Sequence, residues 1–120
     1  MGKPRCCAAG RRMPREILPQ RRHTIRDSTE WAGQKVFVEA GFGNDGRVLE
    51  CFFRGGGRVG SEVDSALDDS AILVSLGLQH GCPLSVIVAG VGRDPAGKAT
   101  SMIGAAIDAL AKIVSEEKLR

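Results

Sequence analysis

Between Asp45 and Leu84 a run of alternating side chains, a cluster of glycines and a long run with helical spacing follow one another without interruption. Few folds accept that order. From Arg47 to Arg54, Leu49, Cys51 and Phe53 fall on one side and Glu50 and Arg54 on the other, the period of two that a half-buried strand requires. Gly55, Gly56, Gly57 and Gly60 then loosen the backbone. Ser61 followed by Asp64 is close to a capping box, in which the serine oxygen accepts a first-turn amide and the acid favours the positive helix end. Beyond it Val63, Ala66, Leu67, Ser70, Ala71, Val74 and Leu78 recur at helical spacing, leaving Glu62, Asp68, Asp69 and Gln79 to face water. Gly81 is placed to stop this helix, which is expected over 62–80.

Upstream, Val36, Val38, Ala40 and Phe42 alternate with Lys35 and Glu39, and Gly43-Asn44-Asp45-Gly46 supplies the turn chemistry that joins this strand to the next. The two form an antiparallel hairpin, with room for a third short strand before Trp31 or near Arg26. Trp31, the single tryptophan, stands just before the first strand of the hairpin and covers an end of the core. Pro83 to Val91 reads two ways: Val86, Ile87 and Val88 favour a strand, while a leading proline with Leu84, Ile87, Val88 and Val91 suits a short helix. Arg93 to Lys98 is a loop, and Ile103, Ala106, Ile107, Leu110 and Val114 mark a final helix starting near Ser101. Strands first and helices afterwards give an α+β class, an antiparallel hairpin or small antiparallel sheet covered by two or three helices.

With 120 residues, 42% of them apolar, the chain suffices for one small core and a tail. No apolar run approaches the roughly 20 residues that cross a bilayer, and the N-terminus lacks the apolar centre of a signal peptide, so no membrane partner and a cytoplasmic location are expected. The formal charge of +3 is unevenly distributed: residues 1–26 hold eight Lys or Arg against Glu16 alone, and the remainder holds nine basic against thirteen acidic residues. Pro4, Gly10 and Pro14 punctuate this basic stretch, which reads as a mobile arm over residues 1–18 preceding a domain over 19–120. Such an arm can make loose contact with nucleic acid by displacing counterions, although it contains no aromatic residue to stack on bases. Apolar faces on several helices leave a homodimer open.

Two stretches match G-x-G-x-x-G, Gly41 to Gly46 and Gly55 to Gly60. The first lies inside the hairpin. The second follows a strand and opens a helix, so the amides at the helix start, with Arg54, Gly55, Gly56, Gly57, Arg58, Gly60 and Ser61, form a candidate anion or nucleotide site. The alternative is a flexible strand-to-helix connection, and no acidic residue stands about 20 residues beyond Gly60 where a dinucleotide's ribose would need one. Cys6, Cys7, Cys51 and Cys82 form no C-x-x-C pair, and His23 and His80 are not spaced as zinc partners, so no structural metal is expected. Cys51 reads as a core thiol and Cys82 as a loop residue, while Asp64, Asp68 and Asp69 read as a solvated helix face. No set of catalytic residues emerges.

Leu18-Pro19, Arg21-Arg22, the strand from Gly33 to Gly41, Asp45-Gly46, Gly60-Ser61, Asp64, Ser75-Leu76, Leu78-Gln79, Gly81, Pro83-Leu84 and the helix from Thr100 to Leu110 together resemble the TSCPD domain. This module is found near the C-terminal end of adenosylcobalamin-dependent ribonucleotide reductases and also as a stand-alone protein. The resemblance favours the helical reading of Pro83 to Val91. It implies a stand-alone accessory or partner-binding protein in deoxynucleotide metabolism, with a ribonucleotide reductase or another DNA-precursor enzyme as partner. Adenosylcobalamin belongs to the full-length reductases, and no cofactor is expected in this chain. A nucleotide- or phosphate-binding sensor built on Gly55 to Gly60, or a nucleic-acid accessory acting through the basic arm, are the competing readings. The reductases re-reduce their active site with a cysteine pair on a mobile tail, but Cys6-Cys7 is vicinal and at the opposite end, which favours an incidental pair. Where the family carries Thr-Ser-Cys-Pro-Asp this chain has Thr100-Ser101-Met102-Ile103-Gly104, so the family's cysteine is absent and Ser101 reads as a helix cap.

Overall fold

A computed structural model of the protein describes residues 14–56 and 60–119. Three strands, β1 (Thr24–Trp31), β2 (Gln34–Phe42) and β3 (Val48–Gly55), form an antiparallel sheet in chain order, followed by helices α1 (Glu62–Gln79), α2 (Leu84–Gly90) and α3 (Met102–Lys118). The α+β expectation holds, as does the third strand, which is β1.

Turn chemistry sets the register. Trp31 pairs with Gln34, so β1 and β2 are joined by Ala32 and Gly33 alone. Both have positive φ, +51° and +78°, the backbone of a tight hairpin turn whose twist matches its strands. Between β2 and β3 the Gly43 amide donates to the Arg47 carbonyl at 2.8 Å, and Asp45 accepts from the Arg47 amide at 3.1 Å. A register shift at Gly41/Phe42 marks a bulge before that turn.

Val36, Val38, Ala40, Phe42, Cys51 and Phe53 fill one face of the sheet and meet Leu67, Ala71, Val74 and Leu78 of α1 and Ala106, Ile107, Leu110 and Ile113 of α3. Each fully buried leucine here contributes about 2 kcal/mol by removal from water. Helix α3 lies across β1 and β2, whereas α1 packs chiefly along β3. That position blunts a sheet edge: Ser75 Oγ accepts from the Cys51 amide at 2.9 Å and donates to the Cys51 carbonyl at 3.2 Å, and Gln79 Nε2 donates to the Leu49 carbonyl at 3.0 Å. Side chains of α1 thus replace a fourth strand.

Helix α1 ends as Gly81 predicts. With φ +90° at Gly81, its amide reaches Leu78 O and the Cys82 amide reaches Gly77 O, the paired bonds that satisfy the last helical carbonyls. Pro83 to Val91 is helical over α2, and Ser101 caps α3 by accepting from the Gly104 amide at 3.0 Å. A Cβ at Gly104 would lie 2.6 Å from Val91 Cγ1, so the glycine allows the start of α3 to approach the end of α2.

Four positions depart from the sequence reading. Trp31 closes β1 instead of preceding the first strand, and its indole N–H donates to the Ala99 carbonyl at 3.1 Å, tying the sheet to the loop before α3. Glu50, assigned to a polar face, is 7% exposed, because Arg22 folds over it and anchors itself to the Pro19 carbonyl at 2.8 Å. Gln79, left for water, is 3% exposed, because the β3 edge needs its amide. Val63 and Ala66, placed on the apolar stripe of α1, are exposed, since the first turns of that helix run past the end of the core.

Candidate functional site

Among the described residues of the strand-to-helix connection, two glycine amides are already used. Gly55 pairs with Val36, and the Gly56 amide continues the ladder by donating to Lys35 O at 2.9 Å. Gly60, with φ +80°, donates its amide to Asp64 Oδ2 at 3.2 Å. Ser61 caps α1 by accepting from the Asp64 amide at 3.2 Å. Gly57 and Arg58 lie outside the described residues.

Gly55, Gly56 and Ser61 come together on a cavity of about 400 Å³ that Lys35 and Asp64 also line. Met102 lines the same cavity. The first turn carries Glu62 and Asp64, whose charges complement the positive end of the helix and so compete with an incoming anion. Asp64 thus sets a carboxylate at the head of α1, beside the candidate anion site. It satisfies one glycine amide and holds the serine cap in register.

Arg54 is not part of this group. It belongs to the strand positions that point away from the helices, and it lines a separate cavity of about 350 Å³ with Arg26, Phe37, Glu39 and Phe52. Strand parity separates it from Gly55 and Ser61. Phe37 and Phe52 were missed by sequence reasoning. The available signal was their position in the alternation, each on the side otherwise given to charged residues.

Cys51 is a core thiol, as expected: burial pushes its pKa up to about 12, partly opposed by the Ser75 hydroxyl and reinforced by the Glu50 charge. Such a thiol is a poor nucleophile at neutral pH. Cys82 is buried in the connection between α1 and α2. Cys6 and Cys7, and most of the basic arm, lie outside the described residues, although Glu16 donates its amide to the Gln79 carbonyl at 2.8 Å. Asp68 and Asp69 are exposed on α1. Among the described residues no cluster of three or more His, Cys, Asp or Glu could hold a metal ion, and no helix is long and apolar enough to cross a membrane.

The sequence model of the TSCPD domain matches residues 11–118. Over 74 residues, 62% of its length, the chain is 38% identical to a vitamin B12-dependent ribonucleotide reductase from Bradyrhizobium diazoefficiens. Over the same length it is 36% identical to the enzyme of that name from Agrobacterium fabrum. The aligned stretch is 6% of each of those proteins. No solved structure matches the chain.

Proposed function

The chain belongs to the TSCPD domain family, and from that premise we propose that it is a partner-binding accessory module of deoxynucleotide synthesis that docks on a ribonucleotide reductase in the cytoplasm. The observation that carries this reading is the 74-residue similarity to vitamin B12-dependent ribonucleotide reductases. The reduction itself, with its adenosylcobalamin, is left to the full-length enzymes, since it needs an enclosed radical site and a reducing dithiol.

The exposed side of α1 supports docking through the helices. Ile72 and Leu73 are 56% and 69% exposed, while Ala71 and Val74 beside them are sunk in the core. Two neighbouring aliphatic side chains on a rigid helix are suited to be the anchor of an interface. The test is sedimentation of the chain with the vitamin B12-dependent ribonucleotide reductase of the same cell. A saturable complex that Ile72→Glu with Leu73→Glu abolishes is expected. A well-folded chain that never co-sediments with the enzyme defeats the reading.

A second reading, a nucleotide or phosphate sensor, is favoured by the convergence of Gly55, Gly56, Ser61 and Lys35 on one cavity. Calorimetric titration with a panel of deoxynucleotides should then saturate. Flat curves up to millimolar concentration remove it.

A further inference from the structure

The side of the sheet turned away from the core displays Phe37 and Phe52, 44% and 52% exposed. In the β2/β3 register Phe37 faces Arg54 and Glu39 faces Phe52. The two rings are thus diagonal neighbours on adjacent strands, their Cβ atoms roughly 7 Å apart. Exposure of one aromatic residue is ordinary, but two at this spacing on a rigid ladder form a flat apolar step.

Cations surround that step. Lys35 Nζ stands 5.7 Å from the Phe37 ring centroid, and Arg54 shares the cavity between the rings. Among the described residues Arg54 has no hydrogen-bond or ion-pair partner. Three acids lie close by: Glu39 accepts from Arg26 Nε at 2.9 Å, Glu30 faces Lys35 across the β1/β2 ladder, and Asp27, which lines the same cavity as Arg54, accepts from the Ser28 amide at 2.8 Å. Arg26 is held by Glu39, although its side chain is 83% exposed. The sequence before Arg26 adds seven Lys or Arg, of which Arg22 is held by Glu50.

A protein partner would favour an interface centre depleted of charge. An arginine without an ion-pair partner among the described residues and a lysine over a ring, beside two exposed aromatic residues, instead match a polymer that alternates flat π faces with anions. Bases stack on aromatic side chains carried by open sheets, and Lys and Arg beside them hold the phosphates. We propose that this open sheet face, centred on Phe37 and Phe52 with Lys35 and Arg54 beside them, binds single-stranded nucleic acid. The rings receive successive bases, and the two cations take the intervening phosphates. The proposal uses the side of the sheet opposite the core and is independent of docking through α1.

The experiment is fluorescence anisotropy of a labelled single-stranded deoxyoligonucleotide of mixed sequence with the full chain, repeated with the duplex, over a range of salt. Single strands should bind more tightly than duplex. Phe37→Ala and Phe52→Ala should each weaken binding about tenfold, an effect that persists at high salt because stacking is not ionic. Phe37→Tyr, which keeps the ring, should bind as the parent does. Arg54→Ala should lower the slope of log affinity against log salt by about 1. Undiminished affinity in both alanine variants would assign any binding to the basic arm alone and overturn the proposal. So would equal affinity for duplex. Self-association that Phe52→Ala removes, in a chain that binds no oligonucleotide, would also overturn it and give the face to a second copy of the protein.

Discussion

Glu50 lays its carboxylate over Gly41, the residue it faces across the β2/β3 ladder: a Cβ on Gly41 would come within 2.5 Å of Glu50 Oε2 and 2.6 Å of its Cγ. The missing side chain makes the room in which Arg22 meets Glu50. Gly41→Ala should therefore push the carboxylate off its partner and cost about 2 kcal/mol, the usual range for an overfilled site. Thermal unfolding would show a fall in Tm of roughly 10 °C for a domain of this size. In a Glu50→Ala background the same substitution should cost much less. An additive double mutant would show that the two residues do not act on one another.

The β3 edge gives a second expectation. Gln79→Ala removes a buried amide and leaves the Leu49 carbonyl without its donor, so stability in urea should drop by about 2 kcal/mol. Ser75→Ala should cost about 1 kcal/mol and, more specifically, accelerate hydrogen exchange at the Cys51 amide that Ser75 accepts from. Unchanged protection at Cys51 would mean that packing alone, without the hydroxyl, covers the edge.

Cys51 makes stability depend on alkaline pH. Burial raises its folded pKa from 9.0 to about 12, so the unfolded chain loses this proton first. The contribution is fully present below about pH 9 and is lost progressively as pH rises toward 12. Over that window the limiting slope is about 1.4 kcal/mol per pH unit. The difference in unfolding free energy between the parent and Cys51→Ala, measured from pH 8 upward, should shrink along that slope. Lysine titration is common to both proteins and cancels. A constant difference would contradict the burial origin of the shift.

How much of this was visible in the residues follows from where each signal resides. The hairpin, α1 and the caps at Ser61 and Ser101 are local patterns, and local patterns decided them. Strand β1 was weakly marked because Ile25, Thr29 and Trp31 are only half-buried and the positions between them are polar. Glu50 and Gln79 could not be read as buried, since their partners Arg22 and Leu49 lie far away in sequence. The G-x-G-x-x-G stretch suggested one site with Arg54 in it, yet alternation already assigned Arg54 to the polar side of its strand. Parity should have outranked the motif.

That ranking leads to the phosphate question at the head of α1. Asp64 now holds the Gly60 amide and, through its own amide, the Ser61 hydroxyl, so a free anion must displace a charge that is already in place. Asp64→Asn keeps the size and an acceptor oxygen while removing the negative charge. If the Gly55 to Ser61 turn has any affinity for phosphate, that substitution should strengthen binding of inorganic phosphate several-fold, because one of the two first-turn carboxylates is gone and Glu62 alone complements the helix end. Ser61→Ala should cost about 1 kcal/mol of stability through the lost cap and leave phosphate binding little changed. Lys35→Ala should reduce phosphate affinity in the Asp64→Asn background, since Lys35 lines the same cavity. Calorimetry on these variants decides the matter. Failure of Asp64→Asn to bind phosphate at millimolar concentration would leave the glycines with one physical role, to let β3 finish its ladder with Lys35 and deliver Ser61 to the first turn of α1.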